Sequence, residues 1–162
     1  MIERDPLPKW SVPYAINKWG GECLPPIEKA WLSHLNYFVH PDAVVAAARL
    51  LLPKFVEYEG GVFLEHNFTV ERYLEWTTRL AELSEVENML NHQHVYDLFA
   101  VTDDISDDSY QGIANLMAET INIALRVCYP NRQFRVIVSN TDEDYGPTVS
   151  FYSISSSSDI GT

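Results

Sequence analysis

The residues best suited to chemistry lie in the stretch LNHQHVYDLFAVTDDISDDSY, which spans positions 90–110. His92 and His94 are separated by one residue, and Asp97 follows three residues later. Imidazole is the commonest neutral metal ligand, and zinc needs three or four ligands at about 2.0–2.2 Å. In a strand the two histidines would share a face and could bind one ion, whereas in a helix they would point about 200° apart. A helix would instead place His94 beside Asp97, whose carboxylate could orient the imidazole.

Two interpretations of this stretch are open at the level of sequence. In the first, these three side chains bind a divalent metal in a small metal-dependent enzyme, and a further ligand comes from His66, His34, His40 or an acid elsewhere. In the second, the apolar pattern breaks inside NHQH, and a turn there leaves one histidine in local contacts. The helical character of the flanking sequence favours the second interpretation.

Four aspartates, Asp103, Asp104, Asp107 and Asp108, crowd into six positions after the histidines. Carboxylate oxygens are the ligands that calcium and magnesium prefer, so the run invites a metal site. Asp107 and Asp108 also fall in the first turn of a predicted helix, where the helix dipole favours negative charge. We therefore predict a helix start on an acidic surface.

The segment NTDEDYG at 140–146 matches a calcium-binding loop in part. Asn140, Asp142 and Asp144 fall at the first, third and fifth ligand positions. Tyr145 stands where that loop needs glycine, and Phe151 stands where it needs a bidentate glutamate. Asn, Asp and Gly are also common turn residues, so we predict a solvated hairpin loop.

The distribution of charge is the most unusual property of the chain, whose formal net charge is −12. Between Arg79 and Arg126 there are nine acids and no Lys or Arg, and four more acids follow Arg135 without a base. The remaining segments carry 10 acids and 11 bases, so the excess comes from two parts of the chain. Such a field repels nucleic-acid phosphates and anionic membranes and attracts basic partners.

Motifs for nucleophilic catalysis and nucleotide binding are absent, because the sequence has no GxSxG, Walker A or GxGxxG pattern. Cys23 and Cys128 lie in no CxxC pair, and we expect both to be free and buried. The segment MIERDPLPKW lacks the apolar core of a signal peptide, and no apolar run reaches the about 20 residues of a membrane helix. The sequence predicts a soluble, cytoplasmic protein.

Apolar residues at helical spacing predict five helices. Thr69 is expected to cap the third helix, and Ser84 with Glu87 is expected to form a capping box on the fourth. The fifth helix begins at Ser106 and ends before Pro130. The predicted helices are 27–38, 42–52, 70–82, 84–90 and 106–128.

Two β-hairpins complete the predicted elements. The first spans 54–65 and turns at Gly60-Gly61, so that Tyr58 faces Phe63. The second consists of the strands 133–139 and 148–154 around the loop at 140–146. A lone hairpin is marginally stable, so we expect the two hairpins to join in one four-stranded sheet.

These elements predict an α+β fold of about five helices packed on a small antiparallel sheet made from two β-hairpins (54–65 and 133–154). The chain is expected to form a single domain over 1–154, followed by a flexible tail at 155–162. Residues 1–26 are rich in Pro and Trp and are expected to form an irregular arm packed on the domain or on a partner subunit.

The leading functional hypothesis is a non-enzymatic acidic binding protein without a cofactor. Residues 80–125, with the loop 140–146, would present Asp103, Asp104, Asp107 and Asp108 to a basic protein partner, as an inhibitor or immunity-type protein does. One alternative is the metal-dependent enzyme built on His92, His94 and Asp97. Another is a structural homo-oligomer assembled through the aromatic N-terminal arm.

Overall fold

The computed structural model of the chain describes residues 5–7, 10–100, 106–141 and 145–154. The helices are α1 (Tyr14–Glu22), α2 (Ala30–Phe38), α3 (Pro41–Leu51), α4 (Val70–Thr77), α5 (Leu83–Leu90) and α6 (Asp107–Cys128), with a 3₁₀ helix at Val95–Leu98. The strands are β1 (Phe55–Tyr58), β2 (Gly61–Leu64), β3 (Gln93–His94), β4 (Gln133–Ser139) and β5 (Thr148–Ile154).

The predicted α+β class is confirmed, with two small antiparallel sheets in place of one. β1 and β2 form the first sheet, and the second has the order β3-β5-β4. β4 and β5 pair along their whole length, from Gln133 opposite Ile154 to Ser139 opposite Thr148. β3 adds a short third strand, in which Gln93 pairs with Val149. Among the residues that the structure describes, the two hairpins are not joined by the expected backbone ladder.

The first hairpin turns one residue earlier than predicted. Tyr58 pairs with Gly61, so the turn residues are Glu59 and Gly60, both at positive φ (47° and 83°). Positive φ at both positions is typical of the tight turns that match strand twist. Gly61 lies inside β2, where an added Cβ would come within 2.6 Å of the Phe63 ring. The second glycine is therefore required for packing rather than for the turn.

The N-terminal arm is not irregular throughout, because Tyr14–Glu22 forms helix α1. Pro13 stands at its N-cap, a place where the missing N–H of proline costs little. α1 packs closely on α2, since a Cβ at the buried Gly20 would collide with Ala30. Proline density alone therefore misjudged residues 14–22, which contain no proline. Within the described residues no helix is long and apolar enough to cross a membrane.

The main core lies between α6 and the strands. Met117, Ile121 and Leu125 of α6 are buried against Val149 and Phe151 of β5. A smaller core around Phe63 and Tyr73 lies between the first hairpin, α4 and α5. α6 is the longest helix described and, as predicted, ends just before Pro130.

The two cysteines are free, as expected, but neither is buried. Cys23 is half-buried, and its thiol lies 3.4 Å from the Trp19 carbonyl. Cys128 is exposed because it is the last residue of α6, beyond Leu125, the last buried position of that helix.

Candidate functional site

Helix α5 and its C-cap residue place two polar side chains in the space between the two sheets. Glu87 and Asn91 lie four residues apart, on one face of the helix, and both are buried. Asn91 accepts a hydrogen bond from the Leu64 amide at 2.8 Å and donates to the carbonyls of Val62 (2.9 Å) and Phe151 (3.2 Å). One amide side chain therefore joins β2 to β5.

The Glu87 carboxylate makes the same connection with its two oxygens. Oε1 accepts from the Val62 amide of β2 at 2.8 Å, and Oε2 accepts from the Ser153 amide of β5 at 2.8 Å and from its hydroxyl. Arg132 Nη2 lies 3.9 Å from Oε1 and donates to the Gly60 carbonyl at 2.9 Å. Side chains of α5 thus replace the expected backbone ladder between the hairpins.

The predicted capping box of Ser84 with Glu87 is wrong, because Glu82 and Glu85 form it.

The structure brings His92 and His94 together. Their Nε2 atoms are 3.3 Å apart, because the chain is extended here and β3 includes His94. Two ligands of a tetrahedral zinc ion with bonds near 2.05 Å would be about 3.3 Å apart. Yet no three His, Cys, Asp or Glu side chains in the described parts of the chain form a group that could hold a metal. The pair therefore supplies two ligand atoms of the four that a structural zinc needs.

The other residues predicted for a metal shell lie apart from this pair. Asp97 is exposed on the 3₁₀ helix. His34 packs against Trp19 in the aromatic cluster of α1 and α2, with ring centroids 5.6 Å apart. His40 caps α3 by accepting from the Asp42 amide at 3.2 Å. His66 is linked to the pair through Gln93, the residue between the two histidines. The His66 Nε2 lies 2.6 Å from the side-chain amide of Gln93.

Three tyrosines connect the histidine pair with the start of α6. The Tyr145 ring lies 6.3 Å from the His94 ring and 5.6 Å from the Tyr96 ring. Tyr96 also packs edge-on against the buried Tyr110 of α6, with centroids 4.5 Å apart. The Tyr96 hydroxyl donates a hydrogen bond to Asp107 Oδ1 at 3.1 Å. We call the set His92, His94, Tyr96, Tyr145, Asp107 and Asp108 the acidic aromatic face.

Local backbone geometry holds this face together. Gly146 has a φ of +74°, and a Cβ there would collide with the Tyr96 ring. The Val95 amide donates to the Pro147 carbonyl at 2.9 Å, which ties the 3₁₀ helix to the start of β5. A residue other than glycine at 146 would be strained by its φ and would displace the ring.

The hydrogen bond to Asp107 raises the pKa of Tyr96, and burial and nearby negative charge act in the same direction. Ionisation of the phenol would lose the donated hydrogen bond and place two negative groups in contact. Tyr96 therefore remains a neutral donor beside the carboxylate well into the alkaline range.

Of the four predicted binding aspartates, the structure places two. Asp107 and Asp108 are exposed in the first turn of α6, as predicted. Asp103 and Asp104 lie outside the described residues. The loop 140–146 is described at both ends, where Asn140 donates to the Gln111 side chain at 2.9 Å and Tyr145 is 64% exposed. Its Asp142 and Asp144 lie outside the described residues.

A cavity of about 550 Å³ lies between the N-terminal arm and the first half of α6. The arm contributes Trp10 and Tyr14, and α6 contributes Asp108, Leu116 and Glu119. The cavity therefore adjoins the acidic aromatic face through Asp108, which belongs to both.

Sequence reasoning missed the buried pair Glu87 and Asn91 and the tyrosines of the face. The spacing of Glu87 and Asn91 beside the apolar Val86 and Leu90 is a usable signal, because it places two polar residues on a buried helix face. Tyr96 gives no local signal, since its neighbours come from α6 and from the loop before β5.

Comparison with known protein families, curated proteins and solved structures finds no match to this chain.

Proposed function

We propose that the protein is a non-enzymatic binding protein whose acidic aromatic face recognises an arginine-rich or lysine-rich surface of a partner protein. The observation that carries the proposal is the contact of Tyr96 with Asp107, which fixes an exposed carboxylate beside an aromatic ring. An exposed ring, that of Tyr145, lies 5.6 Å from the half-buried Tyr96 ring. Rings and carboxylates in this arrangement form a complementary surface for a guanidinium group.

The chemistry of arginine favours such a surface. A guanidinium group stacks on an aromatic ring through a cation–π contact of about 0.5–2 kcal/mol. Its N–H groups can also donate two parallel hydrogen bonds to a carboxylate, a geometry that a lysine ammonium lacks. Asp107 and Asp108 supply the charge, and the base-free interval between Arg79 and Arg126 lets the negative field extend beyond them.

The proposal is tested by titrating the protein with short blocked arginine peptides, using lysine and glutamate peptides of equal length as controls. We expect the arginine peptide to bind more tightly than the lysine peptide, and the glutamate peptide not to bind. Raising the salt concentration should weaken binding, because exposed ion pairs are screened. Isothermal titration calorimetry gives each dissociation constant directly.

The aromatic contribution is tested by Tyr145→Ala, since this side chain is 64% exposed and can be removed at little expense to the fold. We expect it to reduce the preference for arginine over lysine, leaving a response that depends on charge alone. Tyr37→Ala is the matched control, because Tyr37 is 69% exposed and lies on α2, outside the face. Equal binding of arginine and lysine peptides to the wild-type protein would contradict the proposal.

A second candidate, self-association through α2 and α3, is favoured by the apolar side chains that these helices expose. The exposed set is Trp31, Leu32, Leu35, Tyr37, Phe38, Val44 and Val45. Soluble monomers rarely expose contiguous apolar patches of more than a few hundred Å². Residues 10–52 carry three acids and three bases, so this part of the chain is locally neutral and adds no charge repulsion of its own between two copies.

Sedimentation velocity over a range of protein concentrations tests this candidate. We expect a dimer that dissociates on dilution and is abolished in the double variant Leu32→Glu and Val45→Glu. Val127→Glu is the control, because Val127 is 75% exposed and belongs to α6 and not to α2 or α3. A wild-type protein that sediments as a monomer at every concentration would exclude the candidate.

A further inference from the structure

We propose that the open edge of β4 binds an extended acidic segment of a partner protein, which adds to the second sheet as an antiparallel strand. Among the described residues β4 is the last strand in the order β3-β5-β4, so β5 covers only one of its two edges. Main-chain hydrogen bonds to a free edge are a general mode of peptide recognition. This surface shares no residue with the acidic aromatic face and goes beyond the proposed function.

The contacts of β5 determine which of its backbone groups face β4. The Phe151 carbonyl accepts from the Asn91 side chain, and the Ser153 amide donates to the Glu87 carboxylate. These two residues therefore direct their backbone groups towards α5, away from β4. Because successive residues of a strand direct these groups to opposite edges, Tyr152 directs its amide and carbonyl towards β4.

The register then identifies the groups on the open edge. Tyr152 is paired with Arg135, so Arg135 directs its amide and carbonyl towards β5. The alternate residues direct theirs outward, and these are Phe134, Val136 and Val138. Among the described residues no strand, loop or side chain hydrogen-bonds to the outward groups of these three. The open edge therefore offers three amides and three carbonyls in a row.

β4 lacks most of the features that protect an edge strand from pairing. Proline, β-bulges and repeated charges usually protect such edges. The seven residues of β4 contain no proline and pair one to one with β5, so there is no bulge. Its core-facing side chains, Phe134, Val136 and Val138, are only half-buried, whereas Val149 and Phe151 of β5 are fully buried. An added strand would cover the part that is left exposed.

The charge near this edge favours an acidic partner. Arg135 is exposed, and no carboxylate among the described residues forms an ion pair with it. Between Glu119 and Asp142 the sequence contains three arginines, Arg126, Arg132 and Arg135, and no acid. An acidic strand complements this charge. Antiparallel pairing with β4 of a second copy would instead place two Arg135 side chains on the same face of one sheet.

The geometry of an antiparallel pair specifies the sequence pattern of the bound segment. Residues directly opposite each other have their side chains on the same face of the sheet. The segment therefore places apolar side chains opposite Phe134, Val136 and Val138, and acidic side chains on the face of Arg135. At hydrogen-bonded positions the opposite residues exchange both bonds. The amides of the apolar residues thus donate to β4, and the amides of the acidic residues point away.

The test uses a blocked seven-residue peptide in which glutamate and valine alternate, with glutamate at both ends. One form is N-methylated on its valines, and the other is N-methylated on its glutamates. Calorimetry on the full chain should show saturable binding of the glutamate-methylated form and at least about tenfold weaker binding of the valine-methylated form. Similar affinities for the two forms, or binding of neither, would overturn the proposal.

A charge reversal on β4 locates the site. Arg135→Glu should weaken binding of the glutamate-methylated peptide by about tenfold or more. Arg49→Glu is the matched control, because it changes the net charge equally and Arg49 is exposed on α3, outside the sheet. Equal affinities of the two variants would overturn the proposal, because the peptide would then not be bound beside Arg135.

A second copy of the chain is the other occupant that an open edge can take. Val136→Pro removes an outward N–H and retains the ladder with β5, since proline is tolerated on edge strands where its nitrogen faces solvent. We expect sedimentation velocity to show the same oligomeric state for this variant and the wild-type protein. A wild-type dimer that becomes a folded monomer in Val136→Pro would assign the edge to a second copy and overturn the proposal.

Discussion

Glu87 of α5 holds Ser153 of β5 by two hydrogen bonds to one carboxylate oxygen, although the two residues are 66 positions apart in the chain. The other oxygen binds the Val62 amide of β2, and the Glu87 side chain is fully buried. A buried carboxylate is tolerated only when its oxygens are satisfied, and here every acceptor contact serves to join the sheets. The fold therefore depends on a residue that looks like a surface acid.

Replacing Glu87 with Gln should destabilise the protein strongly. The amide retains one acceptor oxygen and turns an NH₂ group towards either the Val62 or the Ser153 amide, leaving a buried donor without a partner. We expect a loss of about 2–4 kcal/mol in the free energy of unfolding, measured by urea denaturation. Glu85→Gln, at the exposed capping box, is the control and should lose at most about 1 kcal/mol. Similar losses in the two variants would contradict the prediction that the buried Glu87 carboxylate contributes more to stability than an exposed one.

The phenol of Tyr96 should titrate above the ordinary tyrosine value. Its hydrogen bond to Asp107 is the main reason that its pKa is raised. Asp107→Ala should return the pKa towards about 10, whereas Asp108→Ala should change it little. Absorbance at the tyrosinate band, with Tyr96→Phe to assign the step, gives this measurement. Because the folded pKa is raised, the contribution to stability is complete below the unfolded value and is lost as pH rises through the folded value.

Two glycines should respond in opposite directions to the same substitution. Gly146→Ala should lower the free energy of unfolding by about 2 kcal/mol or more, because its φ is +74° and the new methyl group displaces Tyr96. Gly112→Ala should raise it by about 0.5–1 kcal/mol, since it adds a better helix former in open space. Thermal melts of the pair provide the comparison, and a destabilised Gly112→Ala would contradict the open space beside Gly112.

With the ligands that the described residues offer, the histidine pair should not retain a metal. Two nitrogen ligands at 3.3 Å can chelate an ion, but a structural zinc site uses four ligands. We therefore expect native mass spectrometry of protein purified without chelator to show the metal-free mass. A stoichiometric divalent ion that is bound by the wild-type protein and absent from His94→Ala would contradict this prediction. It would support the hypothesis of a metal-dependent enzyme with the histidine pair as its metal site.

The strands of the second hairpin were predictable because their information is local. β4 and β5 have the predicted bounds, since apolar and polar residues alternate between Phe134 and Val138, and Gly146 and Pro147 mark the loop before β5. Thr69 was predictable as a helix cap for the same reason, and its hydroxyl accepts from the Arg72 amide. Short-range patterns determine these elements.

The candidate site was predictable only in part, because its contacts are long-range. From its sequence neighbours alone, Glu87 could either complete a capping box or be buried as a link between the sheets. Its hydrogen bonds to β2 and β5 decide for the second role, and these strands are distant in sequence. The proximity of His92 and His94 depended on an extended chain, although the flanking residues favour helix. The proline-rich arm concealed α1, and the side chains of α5 replaced the backbone ladder expected between the hairpins.

The central claim is that the acidic aromatic face, and not net charge, binds the basic partner. The most direct measurement is the ratio of arginine-peptide dissociation constants for two variants of equal charge. Asp107→Asn with Asp108→Asn removes two acids from the face, and Glu57→Gln with Glu71→Gln removes two exposed acids elsewhere, so each changes the formal charge from −12 to −10. We predict at least about tenfold weaker binding for the first variant than for the second. Equal dissociation constants would contradict the claim, because binding would then follow net charge alone.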